Sequence, residues 1–371
     1  MDFDFSDDQQ QLRDAVSRWV DKAYTFERRR RIVAQGGFDR VAWGELAELG
    51  LTGLCVPADH DGMDMGPVEA MVVMETLGQG LVVEPYAQCL VASAVLSQFA
   101  PADLQSTWLP RIASGDALVA LAHQERKARY RLDVCEAKAL PALSAYALTA
   151  TKNMVPAGDQ AQAWIVPAQL DGQLALFLVE RGATGVSTAG HLCQDGSRAA
   201  NLVLDNAPAQ LITRDGLTAL QLATDVGVAA LCAEAVGVMD KVFALTAEYL
   251  NTRKQFGVLI GSFQALRHRL ADMKMQLELA RSMSYYATLK LGAPADERRL
   301  AMARAKVQLG QSMRFVGQQA VQLHGGIGVT DEYIVSHCFK RLTQMEMTLG
   351  DTLHHLSVLS DGLQETAGVF A

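Results

Sequence analysis

Residues 252–263 read TRKQFGVLIGSF and stand between two long apolar, helix-like runs. A helical hairpin needs only a short polar loop with one glycine. This loop instead carries Arg253, Lys254, Gln255, Phe256, Gly257 and Gly261, a set suited to holding a dinucleotide. An arginine at a helix end can pair with a pyrophosphate in bidentate fashion. Phe256 offers an apolar face to an adenine or to a packed core, and the two glycines let the backbone turn tightly. Gln264 opens the following helix with amide donors and an acceptor. A second stretch, QLHGG at 322–326, places Gln322 one helical turn before Gly325 and Gly326, where the backbone can approach a ligand closely. His324 beside the double glycine either contacts a cofactor or caps its helix. A capped helical hairpin with an arginine–carboxylate pair accounts for the same residues.

The elements that must position these groups fall into three stretches. Residues 1–116 carry a helical pattern: Ser6 is a plausible N-cap with Asp7 and Asp8 in the first turn, and Pro67 opens a helix after the turn-rich CVPADHDGMDMGP. Between 117 and 213 the texture becomes short and β-leaning, in ALVALAH, AYALTAT, AQAWIVPA, QLALFLVE and AANLVLD, separated by Gly, Asp and Pro signals. From 214 to 371 helical texture returns in long segments that suggest a bundle. The expected fold is mostly α with a central β domain.

Composition narrows the function. The chain has 371 residues, half of them apolar, and a formal net charge of −8, which lacks the electrostatic footprint of a nucleic-acid binder. The run Arg28–Arg31 reads as a solvated helix face. Six cysteines without a CxxC pair imply neither a disulfide framework nor a zinc site, and the adjacent His354 and His355 lack a metal-binding HExxH spacing. The acidic start has no signal-peptide pattern, and no stretch of about 18 apolar residues is apparent. A cytoplasmic protein without a membrane segment is expected.

The α–β–α order with RKQFG between two long helices, and QLHGGIGVTDEY at 322–333, resembles the acyl-CoA dehydrogenase family. FSDDQQQLRDAV, LAELGLTGLCVPADHDG, WLPRIASGD, SFQALRHRLADM and FKRL stand in the family's order over nearly the whole chain. VGQQAVQLHGGIG and the GDxxHHL pattern resemble, within it, the small-subunit type of pimeloyl-CoA dehydrogenase. The resemblance implies a helical N-terminal domain (1–116), a small β-barrel or sandwich (117–213) and a C-terminal four-helix bundle (214–371). It implies FAD as cofactor and an acyl-CoA thioester as substrate, desaturated by α-proton abstraction coupled to hydride transfer. It also implies that Arg253, Gln255, Phe256, Gln264, Gln322, Gly325 and Gly326 reach across a subunit interface to the neighbour's FAD.

The sequence departs from the family at two places. The flavin-edge loop, TEPxxGSD-like in members, reads HQERKARYRL here, with Gln124, Arg126 and Tyr130 at the threonine, proline and serine positions. In the second loop, after Lys152, Met154 and Pro156 replace a tryptophan and a threonine; proline cannot donate to a flavin edge. The glutamate that serves as base corresponds to Leu349 or, in other members, to Gly227. An aliphatic residue cannot accept a proton. Asp351, Glu346 and Glu234 are possible substitutes. Glu234 lies in an apolar helix where burial would raise its pKa, although a buried or interface carboxylate paired with an arginine or histidine is the preferred reading of that residue. The expected enzyme is a heteromeric acyl-CoA dehydrogenase with a larger homologous subunit. A non-catalytic partner-binding scaffold and a homo-oligomer with a relocated base are the alternatives.

Overall fold

The computed structural model describes residues 5–142 and 145–367, with side chains up to Gly362. The first four residues of the acidic start lie outside them. Six helices come first: α1 (Asp7–Lys22), α2 (Phe26–Ala34), α3 (Arg40–Glu48), α4 (Pro67–Gln79), α5 (Ala87–Phe99) and α6 (Ala102–Ala113). Seven strands follow: β1 (Val119–Leu121), β2 (Lys138–Pro141), β3 (Tyr146–Pro156), β4 (Ala163–Leu170), β5 (Gln173–Glu180), β6 (Val186–Leu192) and β7 (Arg198–Thr213). The rest is helical apart from one short hairpin: α7 (Gly216–Thr252), β8 (Lys254–Gln255), β9 (Val258–Leu259), α8 (Gln264–Lys290), α9 (Ala295–His324), α10 (Ile334–Met347) and α11 (Thr352–Ala367). Ser6 caps α1 in a reciprocal capping box with Gln9, and Pro67 occupies the first position of α4, both as expected from sequence.

The chain divides into two compact units. One comprises Arg28–Ala70 and Val83–Gly227 and contains the sheet. Its pairings close on themselves: β4 pairs with β5, β5 with β7, β7 with β3, β3 with β2, and β2 with β4, while β1 joins β4 and β6 joins β7. β4 and β5 meet at Asp171-Gly172, both left-handed, the backbone that a tight hairpin turn demands. Trp164, Phe177, Leu148 and Leu202 fill this core. Three differences from the sequence expectation appear here. β2 and β6 are strands that the expected segments omit. β7 runs past Asp205 and through Pro208, which sits beside a register shift between Leu148 and Ala150 on β3, where the ladder is already interrupted. Finally, the arginine run is not all solvated: Arg29 is buried and donates to the Asp195 carbonyl at 2.6 Å. Arg28 bridges Asp39 and Glu45, and only Arg30 and Arg31 face solvent.

The other unit holds α1, residues Met71–Val82 of α4 and its following turn, and everything from Val228 onward. Its core is Met239, Val242, Met273, Leu277, Leu309, Met313 and Leu342. Two glycines bring α4 and α7 into backbone contact: a Cβ on Gly78 would strike the Glu234 carbonyl, and one on Gly237 the Glu75 carbonyl. Arg281 of α8 bridges Glu75 of α4 and Asp240 of α7. Burial nevertheless raises the Glu75 carboxyl against the pull of that arginine. The sequence reading missed one property of α7. Its most apolar 18-residue window has mean hydropathy 1.6, long and apolar enough to cross a membrane, and 94% of that window is buried inside the protein.

Candidate functional site

The groups singled out in sequence gather at one end of the helical unit. α7 ends at Thr252, and the Tyr249 ring one turn earlier stacks on His324 at 4.5 Å, joining the ends of α7 and α9. Arg269 donates to Gln319 at 2.9 Å, tying the start of α8 to α9. His324 is buried between Tyr249 and Tyr333, its Nδ1 2.8 Å from the Ala320 carbonyl. It is therefore the joint of this end, with burial lowering its pKa, and is turned to its own helix.

Around that joint the remaining residues face outward. Arg253, Gln264, Gln322, Gly325 and Gly326 are all exposed. No acceptor for the Arg253 side chain stands among the described residues, so the helix-capping arginine–carboxylate pair is not formed. Gln255 donates to the Lys254 carbonyl at 2.7 Å, which holds its amide locally. Phe256 and Gly257 are both left-handed (φ 54° and 79°) and form the two-residue turn joining β8 to β9. That turn lifts Phe256 away from the protein: it is 91% exposed and meets Phe263 edge-on. A buried-core role for Phe256 is thereby corrected. Gly325 has φ 63°, and a Cβ on Gly325 or Gly326 would meet no atom within 4 Å, so the backbone there is open to an incoming group. An unpaired guanidinium, two exposed amides, an open glycine pair and a projecting aromatic ring form a donor set that fits the phosphates and adenine of a dinucleotide.

The carboxylates proposed as bases are all engaged. Glu234 is buried, and its Oε1 lies 2.7 Å from Nε and 2.5 Å from Nη2 of Arg341. Glu346 accepts from the backbone and hydroxyl of Thr352 at 3.1 and 2.7 Å. Asp351 accepts from the His354 amide at 2.8 Å and so caps α11. The turn between them is built in an unusual way. Leu349 is left-handed (φ 57°), a conformation uncommon for a bulky side chain. Buried Lys306 of α9 donates to the carbonyls of Met345, Glu346 and Gly350 at 2.8–2.9 Å. His355 donates through Nε2 to the Leu349 carbonyl at 3.0 Å. Burial lowers Lys306 to about 8. Burial, helped by the Lys306 charge, lowers His355 to about 3. Lys306 did not figure in the sequence reading, and His355 figured there only for a metal-binding spacing that it lacks. The available signal for Lys306 was a lysine set between Ala305 and Val307 in AMARAKVQLG, at helical spacing from Met302 and Leu309.

In the sheet unit, the HQERKAR loop and β3 are joined by the buried pair Glu125–Lys152 at 2.5 Å and by the Asn153 amide donating to the Gln124 carbonyl at 2.9 Å. Met154 is left-handed and half-exposed beside His191. Pro156 ends β3, and the next amide, Ala157, donates to Arg198 instead.

Comparison with known proteins agrees with this architecture. Residues 6–116 match the family model of the acyl-CoA dehydrogenase N-terminal domain, and residues 214–363 that of the C-terminal domain. The chain is 30% identical to the acyl-CoA dehydrogenase FadE27 of Mycobacterium tuberculosis, covering 99% of this chain and all of that protein. Among solved structures it is similar to a chain of the ChsE4–ChsE5 complex from Mycobacterium tuberculosis (28% identity, TM-score 0.91, 99% and 100% of the two chains covered). It is also similar to a chain of a single-substitution variant of the Tcur3481–Tcur3483 steroid acyl-CoA dehydrogenase (28% identity, TM-score 0.90, 97% and 99% covered). The chain belongs to the acyl-CoA dehydrogenase family, FAD-dependent oxidoreductases that act on the CH–CH bond of acyl-CoA.

Proposed function

We propose that this chain is the small-type subunit of a heteromeric acyl-CoA dehydrogenase, and that it completes the flavin site of a larger homologous chain. One contrast carries the reading. Glu234, Glu346 and Asp351 are each spent on structure, and position 349 is a leucine, whereas at the outward end the Arg253 and Gln322 side chains are exposed and have no partner among the described residues, and the space beside Gly325 and Gly326 is open. Arg253 and the amides of Gln264 and Gln322 hold phosphate and adenine groups, the glycine pair admits the ligand to the backbone, and Phe256 shields it from water. Bound FAD supplies the acceptor for the hydride that leaves the substrate. The proton at the α-carbon is taken by a carboxylate of the partner. That the ChsE4–ChsE5 and Tcur3481–Tcur3483 structures contain two different proteins supports the same reading.

The test is to purify the chain alone and co-expressed with a larger homologue, and to follow flavin bleaching with a panel of acyl-CoA thioesters. Activity confined to the co-expressed pair, with one FAD per two unlike chains, is expected. Flavin reduction by the lone chain, abolished in Asp351→Asn or Glu234→Gln, would refute the assignment and favour a homo-oligomer with its own base.

A further inference from the structure

Away from the outward end, the sheet unit contains a compact cluster of a thiol, an amine and a carboxylate. Lys152 is fully buried on β3, and Glu125 is buried in the loop before β2. Half-buried Cys135 faces both. Its Sγ lies 3.3 Å from Glu125 Oε1 and 3.7 Å from Lys152 Nζ. Lys152 also donates to Glu125 Oε1 at 2.5 Å and to the Pro167 carbonyl at 2.8 Å. The Glu136 and Ala137 amides donate to Glu125 at 2.6 and 3.2 Å. The amine and the thiol are thus held in van der Waals contact by a rigid frame, with a carboxylate touching both.

We propose that Cys135 and Lys152 are a peroxide-responsive cross-linking site, in which oxidation of the thiol leads to a covalent S–N bond between the two side chains. In the first step hydrogen peroxide oxidises the thiol to a sulfenic acid, breaking the O–O bond and releasing one water. In the second, Glu125 accepts a proton from the Lys152 ammonium. The freed amine attacks the sulfur and a second water leaves. Thiol, ammonium and one peroxide become a sulfenamide, two waters and a proton, so peroxide is the only oxidant needed. The product fixes the Glu125–Ala137 loop to β3 and removes the ammonium charge that offsets Glu125. A thiolate is the faster nucleophile toward peroxide, and burial pushes the Cys135 thiol up to about 11. The site therefore answers to sustained oxidant and works slowly.

The experiment is peptide mapping of the full-length protein after hydrogen peroxide treatment. Trypsin cuts after Arg131 and Lys138, and a modified Lys152 resists cleavage. The expected product is peptide 132–138 joined to peptide 139–181, two hydrogens lighter than their sum. It is absent in Cys135→Ser and lost when the oxidised wild type is treated with dithiothreitol. Recovery of 132–138 unlinked from oxidised wild type, with Cys135 as sulfinic or sulfonic acid or in a disulfide, would overturn the proposal. Because the decisive reading is made on wild-type protein, poor folding of a variant does not blur it.

Discussion

Lys306 and His355 between them hold four carbonyls of the turn that carries Leu349. A sequence reader sees the turn's residues and not their supports, which lie 43 residues before and six after Leu349. Substituting Lys306 by Met takes this donor from the buried Glu346 and Gly350 carbonyls, while the Met345 carbonyl keeps the Thr348 amide. At about 1–3 kcal/mol for each of the two groups, the loss should be on the order of 2 kcal/mol or more, read by urea unfolding. His355 gives the turn a pH dependence with a definite sign. Its folded pKa is lowered from 6.5 to about 3, so between those values the unfolded chain binds the extra proton. Its contribution is complete above about pH 6.5 and is lost as pH falls toward 3. Unfolding of wild type and His355→Gln at pH 7, 5 and 4 should therefore show wild type losing the larger amount on acidification. Glu234 shows what sequence could and could not offer. Its apolar surroundings were legible, but its partner Arg341 stands 107 residues away. Removing one member of a buried ion pair typically costs about 3–5 kcal/mol. Glu234→Leu should lose stability in that range, a consequence that a purely catalytic carboxylate would not have.

At the scale of elements, boundaries marked by local chemistry were legible: the Ser6 cap of α1, Pro67 at the head of α4, Arg253 just past the end of α7 and Gln264 at the first position of α8. What was not legible is direction. Lys254–Leu259 looks like a tuck into the core because it carries Phe256, Val258 and Leu259. Two successive left-handed residues fold it outward instead. The last expected β segment stopped at Asp205 for a related reason, because whether a strand continues through a proline such as Pro208 depends on the ladder facing it. The exposed ring makes a clean prediction. Phe256→Ser removes a side chain that buries almost nothing, so unfolding free energy should move by no more than about 0.5 kcal/mol. Flavin content of the assembled enzyme, measured by absorbance after gel filtration, should fall. If flavin content and affinity stay at the wild-type level, the hairpin has no part in the cofactor site.

At the scale of the whole molecule, the helical unit leaves many large apolar side chains in water. Met275 and Leu279 lie one turn apart on α8, Leu353 and Leu356 share a face of α11, and Phe256 and Val329 stand at the outward end. Scattered exposed leucines are ordinary on a soluble protein. Stripes at helical spacing are not, since contiguous apolar surface of this kind marks protein contacts. Composition alone indicated a bundle rich in apolar residues, but which of them would remain uncovered by the chain itself requires the packing of α8 against α9 and of α11 against α9. The expected outcome is association through these faces. Light scattering at micromolar concentration should report a mass above that of one chain, either as copies of this chain or, with the homologous subunit present, as a mixed assembly. Replacing both Met275 and Leu279 by Glu puts two charges on an exposed stripe without entering the core. The variant should therefore keep its unfolding midpoint within a few degrees while shifting to smaller species. A wild-type chain that scatters as a monomer, alone and with the larger subunit, would show that these faces stay uncovered. The outward end would then have no neighbour whose flavin it could complete.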